Sequence, residues 1–426
     1  MRKRRFAVVS GVVLGLGFGF TFAFGLGFPW LGPQGASVRA QSVAPSSLAR
    51  LAPAPTLRWD GQPEEVGVSS ERLAWAKQVI EEAVKRNYMP GAVVIAGRKG
   101  TVIFHEAFGL AQRTPASAAR PMEKDTLFDL ASVTKLFTAT AVMILVEEGK
   151  LRLDDPVKDF IPAFAQKGKQ EVRIRHLLTH TSGLPAWAPL YQSIKSKDEA
   201  IQAICAMELE NPVGKKFVYS DLGFIMLGAV VEKVAGMPLD QFIRERITGP
   251  LGMQHTFFNP GPEWKEKAAA TEYDATFRRR MIVGEVHDEN AWAMGGVAGH
   301  AGLFSTAEDM ARFAQMFLNY GRYGDVQILS PATVVLMTTN HTLAVGTRHG
   351  LGWDLKSSEF SSAGDLFSLN AYGHTGFTGT SIWIDPTLQL FSILLTNRVH
   401  PSRSNTRITW VRPHFHNPIA AAIVRL

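Results

Sequence analysis

Apolar residues are concentrated in one uninterrupted stretch in the first half of the chain. From Val133 to Glu148 the sequence contains no Pro or Gly and consists mostly of good helix formers, and Gly149 follows directly. Glycine adopts the left-handed conformation that closes a helix. The apolar residues of this stretch are too numerous to form a single stripe. The pattern therefore predicts a helix over 133–148 that is enclosed by protein on most sides.

Short apolar runs predict strands near both ends of the chain. Residues 92–96 and 102–104 are separated by Arg-Lys-Gly, which indicates a hairpin. Residues 381–384 and 390–395 form a second pair, and Asp385-Pro386 begins the turn between them. Hairpins at both ends that flank a helical middle predict one antiparallel sheet in a layered α+β fold.

Helical periodicity accounts for much of the remaining chain. Ser69 is a suitable N-cap for a helix that runs to about Arg86. Between 151 and 286 the pattern is mainly helical, with stretches at 194–209 and 222–235 and no comparable strand signal. We interpret 151–286 as a helical insertion.

A closing helix is expected at the C-terminus, but two prolines fall within it. Pro413 and Pro418 each lack the N–H that an interior helical hydrogen bond requires. We therefore predict that only the last part of the tail, 419–424, is helical.

The first forty residues combine a basic start with a long uncharged run. Residues 2–5 are Arg-Lys-Arg-Arg, residues 6–30 carry no charge, and Val38-Arg39-Ala40 is a small-residue cleavage site. This predicts an export signal over 1–40, followed by a linker over 41–64 and one domain over 65–426. Residues 6–30 are long enough to span a bilayer, so an uncleaved membrane anchor is the alternative. In either case we expect a periplasmic or extracellular protein.

The composition is that of a globular protein without a nucleic-acid-binding surface. Of the 426 residues 46% are hydrophobic, which is enough for a substantial core. The formal charge is +7, but residues 1–40 contain five basic residues and no acid, so the remainder has 40 basic and 38 acidic residues. Cys205, the only cysteine, cannot form an intrachain disulfide and is predicted to be a buried thiol.

Candidate chemistry appears at the start of the apolar helix. Ser132 and Lys135 are three residues apart, so their side chains lie on one helical face. A serine hydroxyl becomes a nucleophile when a base removes its proton, and a buried lysine that loses its charge can be that base. The alternative is a serine cap beside an ordinary first-turn lysine. The pair alone leaves both interpretations open.

Two further segments carry groups that an acylated serine would need. Tyr219, which lies just before a predicted helix, is a candidate acid or base. Residues 372–379 (Tyr-Gly-His-Thr-Gly-Phe-Thr-Gly) precede the strand at Ser381, and their glycines let the backbone approach a ligand closely. Taken alone, each is equally consistent with a core tyrosine and an ordinary turn.

Together these segments form an ordered set. Ser132-x-x-Lys135, Tyr219-x-Asp221 and His374-Thr375-Gly376 resemble the motifs of the serine β-lactamase and penicillin-binding-protein superfamily, in particular its class C-like esterase branch. The resemblance extends over about residues 65–400 and includes residues 175–185, 295–306 and 350–354. It implies a five-stranded antiparallel sheet flanked by helices, an all-helical insertion, no cofactor or metal, and an acyl-enzyme mechanism.

The resemblance also implies roles for individual residues. Ser132 would be the nucleophile, Lys135 its general base, and Tyr219 the relay of a proton to the leaving group. The backbone N–H groups of Ser132 and Phe377 would form the oxyanion hole. The substrate would be bound by Asp221, His374, Thr375 and Gly376.

Two departures from the superfamily motifs bear on the substrate. Asp221 stands where asparagine is usual, and an aspartate near Lys135 would favour the charged ammonium. His374 replaces a lysine, and a mostly neutral histidine is a weaker anchor for a substrate carboxylate. We therefore expect an exported carboxylesterase that acts on a small ester. The alternatives are a β-lactamase, a D-Ala-D-Ala carboxypeptidase that cleaves a short peptide, and a non-catalytic penicillin-binding-like sensor.

Several other polar signals are less informative. His176 and His180 have a metal-like spacing but no suitable third ligand follows, so we interpret them as structural. The segment 287–289 (His-Asp-Glu) is expected in a solvated polar loop, and the alternative is that it lines the active-site cleft. His300, among glycines, either contacts substrate or holds its loop. The sequence indicates neither a metal site nor an oligomeric state.

Overall fold

The computed structural model describes residues 54–426. The predicted export segment and the linker as far as residue 53 lie outside the described residues. The helices are α1 (Ser70–Lys85), α2 (Thr134–Glu147), α3 (Ile174–Leu178), α4 (Lys197–Ala206), α5 (Asp221–Ala235), α6 (Leu239–Ile243), α7 (Glu289–Ala293), α8 (Ala307–Leu318), α9 (Pro331–Met337) and α10 (Ile408–Ala421). The strands are β1 (Gly91–Arg98), β2 (Thr101–Gln112), β3 (Arg120–Pro121), β4 (Phe128–Asp129), β5 (Phe257–Phe258), β6 (Tyr273–Asp274), β7 (Arg280–Met281), β8 (Leu303–Ser305), β9 (Arg322–Tyr323), β10 (Val326–Gln327), β11 (Asp354–Leu355), β12 (Tyr372–Thr375), β13 (Ser381–Asp385) and β14 (Leu390–Thr396).

One antiparallel sheet is built from both ends of the domain, as predicted. Its strand order is β11-β12-β13-β14-β1-β2-β3. The two predicted hairpins meet where β1 pairs with β14, from Ala92 opposite Thr396 to Arg98 opposite Leu390. The sheet has seven strands rather than five because two short strands of two residues each, β3 and β11, extend its edges.

Helices cover both faces of this sheet. Side chains alternate along β1, so that Ala92 and Val94 join the core under α1 and α10, whereas Val93 and Ile95 join the larger core on the opposite face. On that opposite face α8 packs against β1, β13 and β14. The result is a three-layer α+β fold, which confirms the predicted fold class.

The central helix forms where the apolar run predicts it. A short 3-10 turn leads into α2, and every residue from Thr134 to Leu145 is buried. Gly149 has a φ of 67°, the left-handed conformation expected after the helix end. Because α2 packs against α5 and α6, Lys135 in its first turn is held inside the protein.

The C-terminal helix is longer than predicted. It runs from Ile408 to Ala421 with Pro413 and Pro418 inside it, so the prediction of helix over 419–424 alone was wrong. Each proline removes one backbone hydrogen bond. Burial of Val411, Phe415 and other side chains against α1 and the sheet compensates for that loss.

No single helix among residues 54–426 has both the length and the apolar composition needed to cross a membrane. The segments Asp221–Ala235 and Leu239–Thr248 meet the criteria only as a pair, with a bend of 77° between them.

Candidate active site

A strained turn presents Ser132 at the start of α2. Ala131, directly before it, has a φ of 48°, which is uncommon for a residue with a side chain. The buried carboxylate of Asp129 holds this turn: one oxygen accepts a hydrogen bond from Ala131 N–H (2.8 Å) and the other accepts one from His287 N–H (2.7 Å). These bonds offset the strain and fix the direction of the serine side chain.

The Lys135 ammonium has three close partners. Its Nζ donates to Ser132 Oγ (2.9 Å) and to the His300 carbonyl oxygen (3.1 Å), and it lies 2.7 Å from Asp221 Oδ1. Tyr219 is a further hydrogen-bond partner, so the three protons of the ammonium are shared among more than three neighbours. Lys135 is completely buried, and its side chain is therefore fixed beside the hydroxyl of Ser132.

Asp221 controls the charge of Lys135. Burial lowers the pKa of Lys135, but attraction to Asp221 and Tyr219 outweighs burial, so the net pKa is raised. Burial alone therefore does not discharge the lysine, contrary to the first expectation from the sequence. The direction of this shift is the one expected of an aspartate at position 221.

Tyr219 adjoins the same ammonium on the loop that enters α5. Lys135 Nζ lies 4.9 Å from the centre of the Tyr219 ring. Burial raises the pKa of Tyr219 to about 12, with Lys135 opposing this shift and Asp221 adding to it. Tyr219 is thus a neutral phenol at neutral pH, able to donate a proton.

The opposite wall of the site is β12 and the turn that follows it. His374 is buried, and its Nδ1–H donates to the Thr375 carbonyl oxygen (2.8 Å). Burial lowers the pKa of His374 to about 4, although the Asp354 carboxylate opposes this. His374 therefore remains neutral well below pH 6, further into the acid range than an ordinary histidine.

Hydrogen bonds connect this turn to the nucleophile turn. Thr380 Oγ1 donates to the Leu130 carbonyl oxygen (3.0 Å), and Thr378 Oγ1 donates to that of Asp129 (2.8 Å). Within residues 54–426 neither the Ser132 N–H nor the Phe377 N–H has a hydrogen-bond acceptor. Two free N–H groups on two connected turns are what an oxyanion hole requires.

Two cavities open on either side of Phe377, and both are lined by Ser132 and Tyr219. The first, of about 400 Å³, also contains His374, Thr375 and Gly376. The second, of about 410 Å³, also contains Asp221 and His300. Together with Lys135 beneath them, these cavities bring every predicted site residue to one region.

Two arginines that the sequence analysis did not single out line the first cavity. Arg412 Nη2 donates to the carbonyl oxygens of Gly376 (2.7 Å) and Thr380 (2.9 Å), and Arg398 Nε donates to that of Phe377 (2.8 Å). Burial lowers the pKa of Arg412 to about 9. Both guanidinium groups thus support the turn and bring positive charge to the cavity. No local pattern in the sequence marks either arginine.

The segment 287–289 lines the second cavity, so the expectation of a solvated loop was wrong and the alternative, that it lines the cleft, is the one observed. His287 is only 4% exposed, and its Nε2 lies 2.9 Å from Glu272. Asp288 caps α7 and lies 2.9 Å from His300 Nε2. Asp288 and Glu289 are partly buried, and Arg403 forms ion pairs with both Glu272 and Glu289.

The remaining polar signals have structural partners. His176 Nδ1 accepts from Arg173 N–H (3.1 Å), and His180 Nδ1 accepts from Ser220 N–H (3.0 Å), so these imidazoles do not converge. Cys205 is buried, as predicted. In the part of the chain that the structure describes, no three His, Cys, Asp or Glu side chains are placed to share a metal ion.

An antiparallel sheet between helical layers, with a serine, a lysine and a tyrosine at the start of the buried helix, defines a serine hydrolase of the β-lactamase fold. The chain matches the model of the Beta-lactamase family over residues 76–413 and belongs to that family. The resemblance seen in the sequence is thereby confirmed.

Relatives of known name agree with this assignment. The chain is 37% identical over 375 residues to a putative D-alanyl-D-alanine carboxypeptidase of Escherichia coli O157:H7, which covers 80% of this chain and 86% of that protein. It is 37% identical over 372 residues to an N-acetylmuramyl-L-alanine amidase of Bacillus subtilis strain 168, and the alignment covers 79% of this chain and 83% of that protein.

Solved structures share the fold. The hydrolase EstCE1, described as having promiscuous acyltransferase activity, aligns with a TM-score of 0.65 and 25% identity, over 80% of this chain and 99% of that one. An octameric penicillin-binding protein homologue from Pyrococcus abyssi aligns with a TM-score of 0.63 and 25% identity, over 80% of this chain and 76% of that one.

Proposed function

We propose that this protein cleaves amide or ester bonds through an acyl-serine intermediate on Ser132. One observation carries the proposal: the nitrogen of a fully buried lysine lies 2.9 Å from the serine oxygen, and a tyrosine ring adjoins that nitrogen. A nucleophile and a base fixed at this distance are suited to general-base catalysis.

Proton transfer has to begin from a charged lysine. Lys135 acts as a base in the molecules whose ammonium has lost one proton, a fraction that is small because the pKa of Lys135 is raised and that grows as the pH rises. The neutral amine then takes the Ser132 proton as Oγ forms its bond to the substrate carbonyl carbon. The developing oxyanion is stabilised by the N–H groups of Ser132 and Phe377. As the scissile bond breaks, Tyr219 donates its phenolic proton to the leaving group and is reprotonated from Lys135.

For the substrate we favour a short peptide that ends in a free carboxylate, as in D-Ala-D-Ala. The sequence argument for an ester depended on the neutral state of His374 alone. Arg398 and Arg412 add positive charge to the same cavity, and arginine is well suited to carboxylates. The names of the relatives also support a carboxypeptidase or amidase.

A carboxylesterase is the second candidate. His374 is neutral, and much of the donor capacity of both arginines is used by backbone carbonyl groups. The likeness to EstCE1 supports this candidate as well. A β-lactamase would require rapid hydrolysis of the acyl-enzyme, and a sensor would require that hydrolysis to be very slow.

A comparison of substrates tests the proposal. The purified protein and its Ser132→Ala variant would be given an acyl-D-Ala-D-Ala peptide, a nitrophenyl ester and a chromogenic cephalosporin, with product release and protein mass followed in parallel. We expect the wild type to release D-alanine at the highest kcat/KM and the variant to be inactive on all three. Preference for the nitrophenyl ester would select the esterase, and a lasting adduct without product would select the sensor. Equal turnover by both proteins would contradict the proposal.

We further propose that the protein is exported through residues 1–40 and acts outside the cytoplasmic membrane. The basic residues 2–5 and the uncharged run 6–30 support this. Cell fractionation with N-terminal sequencing should find an exported protein that begins at Gln41, or a membrane-bound one that retains residues 6–30. An uncleaved protein in the cytoplasm would contradict export.

A further inference from the structure

Two segments of the family resemblance, 175–185 and 350–354, have no part in the chemistry proposed above. The structure brings them together behind Tyr219, where Gly352 N–H donates to the Leu178 carbonyl oxygen (3.0 Å). The imidazole of His180 lies against the Tyr219 ring, with centroids 4.5 Å apart, and against that of His349, with centroids 5.1 Å apart. Both imidazoles are 1% exposed.

His180 holds the chain on both sides of Tyr219. Its carbonyl oxygen accepts from Val218 N–H (2.8 Å), and its side-chain Nδ1 accepts from Ser220 N–H (3.0 Å). The residue also has a φ of 55°, a strained value for histidine. Tyr219 is therefore fixed between two hydrogen bonds to one residue, and that residue is itself held in an uncommon conformation.

These contacts determine which nitrogen of each imidazole carries the proton. Since Nδ1 of His180 accepts a hydrogen bond, the proton of the neutral ring is on Nε2. Nδ1 of His349 lies 3.2 Å from Asp354 Oδ1, so the neutral tautomer that this contact favours has its proton on Nδ1 and an acceptor at Nε2. Both Nε2 atoms are buried and have no partner among the described residues. One is a donor and the other an acceptor, so they are complementary.

We propose that Asp354, His349 and His180 form a continuous hydrogen-bonded chain that fixes the Tyr219 turn, with the two Nε2 atoms joined through one water molecule. His180 and His349 are then positioning residues, acting on the reaction through Tyr219. The positioning role of the two histidines rests on the proposed function, because it acts through Tyr219. The hydrogen-bonded chain itself does not depend on that function.

The charged surroundings keep the chain in this protonation state. Burial lowers the pKa of His180 well below its ordinary value, and the neighbouring His349, Lys135 and His374 add to this effect. Burial raises the pKa of Asp354, but the hydrogen bond from His349 and attraction to its surroundings outweigh burial, so the net pKa of Asp354 is lowered. A neutral His180 keeps its Nδ1 lone pair for Ser220 throughout the neutral pH range.

Nitrogen NMR of the histidine rings in the wild-type protein tests the chain without reference to activity. We expect His180 to be the Nε2–H tautomer and His349 the Nδ1–H tautomer, assigned by loss of signals in His180→Asn and His349→Asn. The opposite tautomer at either position would overturn the proposal. If Ser132→Ala were active and the tautomers were as expected, the proposed function would be contradicted, whereas the hydrogen-bonded chain would still be supported.

Kinetics test the positioning role. Asparagine tolerates a positive φ, and its amide can keep the Nδ1-side hydrogen bond while it removes Nε2. His180→Asn and His349→Asn should each lower kcat by about 10- to 100-fold with a smaller change in KM. They should also move the alkaline limb of the pH–rate profile to lower pH, because water that reaches Tyr219 lets its pKa fall from about 12.

A double variant and a control complete the test. If the chain is continuous, the His180→Asn/His349→Asn double variant should be little worse than either single variant. His416 is equally buried and bonds Ser381 and Ser392, so His416→Asn should leave the pH profile unchanged. Losses that multiply in the double variant, or a profile that also shifts in His416→Asn, would overturn the positioning role.

Discussion

At the scale of single residues, the site is governed by the pairing of Lys135 with Asp221. A buried amine without a counter-ion would be largely neutral, and the carboxylate at 2.7 Å reverses this. The protein therefore stores its base in the charged form. The replacement of asparagine by aspartate at this position changes the pH at which the base becomes available.

Asp221→Asn should release that control. Without the carboxylate, burial becomes the dominant influence and the pKa of Lys135 falls. Since the amine must be neutral to accept the Ser132 proton, we expect the acid limb of the kcat/KM profile to move to lower pH. Glu289→Gln, which alters a carboxylate of the same cavity away from Lys135, is the matched control. An unchanged profile in Asp221→Asn would mean that Asp221 does not set the charge of Lys135.

The charge of His374 should affect substrate choice only near or below about pH 4. Its pKa is lowered to about 4 by burial, so it gains charge as the pH falls through that value and not near pH 6. The ratio of kcat/KM for a carboxylate-bearing peptide to that for a neutral ester should therefore be flat from pH 8 to pH 5.5. A ratio that rises between pH 7 and pH 6, as expected of an ordinary histidine, would contradict the account.

At the scale of elements, the site depends on the contact between the nucleophile turn and the turn after β12. A Cβ added at Gly376 would lie 2.5 Å from the Leu130 carbonyl oxygen, too close for either turn to remain in place. Thr380 Oγ1 donates to the same Leu130 carbonyl oxygen, and Arg412 donates to the carbonyl oxygen of Gly376. The position of the Phe377 N–H therefore follows from how closely the two backbones approach each other.

Gly376→Ala should lower kcat more than it weakens substrate binding. Loss of one oxyanion donor costs about 10²- to 10³-fold in rate, and displacement of Phe377 should approach that. Gly223→Ala on α5 is a suitable control, because its added Cβ would meet Leu177 at an ordinary 3.6 Å. Steady-state kinetics of both variants at one pH would measure kcat and KM. An unchanged kcat in Gly376→Ala would mean that the Phe377 N–H is not part of the oxyanion hole.

The C-terminal helix α10 should contribute strongly to the free energy of unfolding, because its apolar side chains are buried. Phe415 is fully buried under the sheet, and Phe415→Ala should lower the free energy of unfolding by about 3–5 kcal/mol. The adjacent His414 is exposed, so His414→Ala should change it by less than about 1 kcal/mol. Urea unfolding of both variants would test this. Equal stabilities would mean that α10 contributes little to the core.

Elements whose signal is local could be predicted from the sequence. The run 133–148 and the two hairpins are each marked by a local pattern of apolar residues and turn residues, and the structure has all three. The two-residue strands β3 and β11 could not be predicted, because pairing with a neighbour defines them. The helical state of Pro413 likewise depends on packing against distant parts of the chain, which overrides a local rule.

At the scale of the whole molecule, the site is assembled from segments that are far apart in sequence. The pairing of β1 with β14 joins the N-terminal and C-terminal hairpins in one sheet, and β12 lies beside the turn that begins α2. Ser132, Tyr219 and His374 could be found because they lie in recognisable motifs. Arg398, Arg412 and the His180–His349 contact could not, because only the folded chain shows what they touch.

The most direct test of the account is peptide mapping of the acyl-enzyme by mass spectrometry. The wild-type protein would be quenched during turnover of an acyl-D-Ala-D-Ala peptide or a slowly hydrolysed penicillin, then digested. We predict that the acyl group is on Ser132, that it is absent from Ser132→Ala, and that it forms much more slowly in Lys135→Ala. An adduct on another residue, or product formed by Ser132→Ala at the wild-type rate, would contradict the central claim.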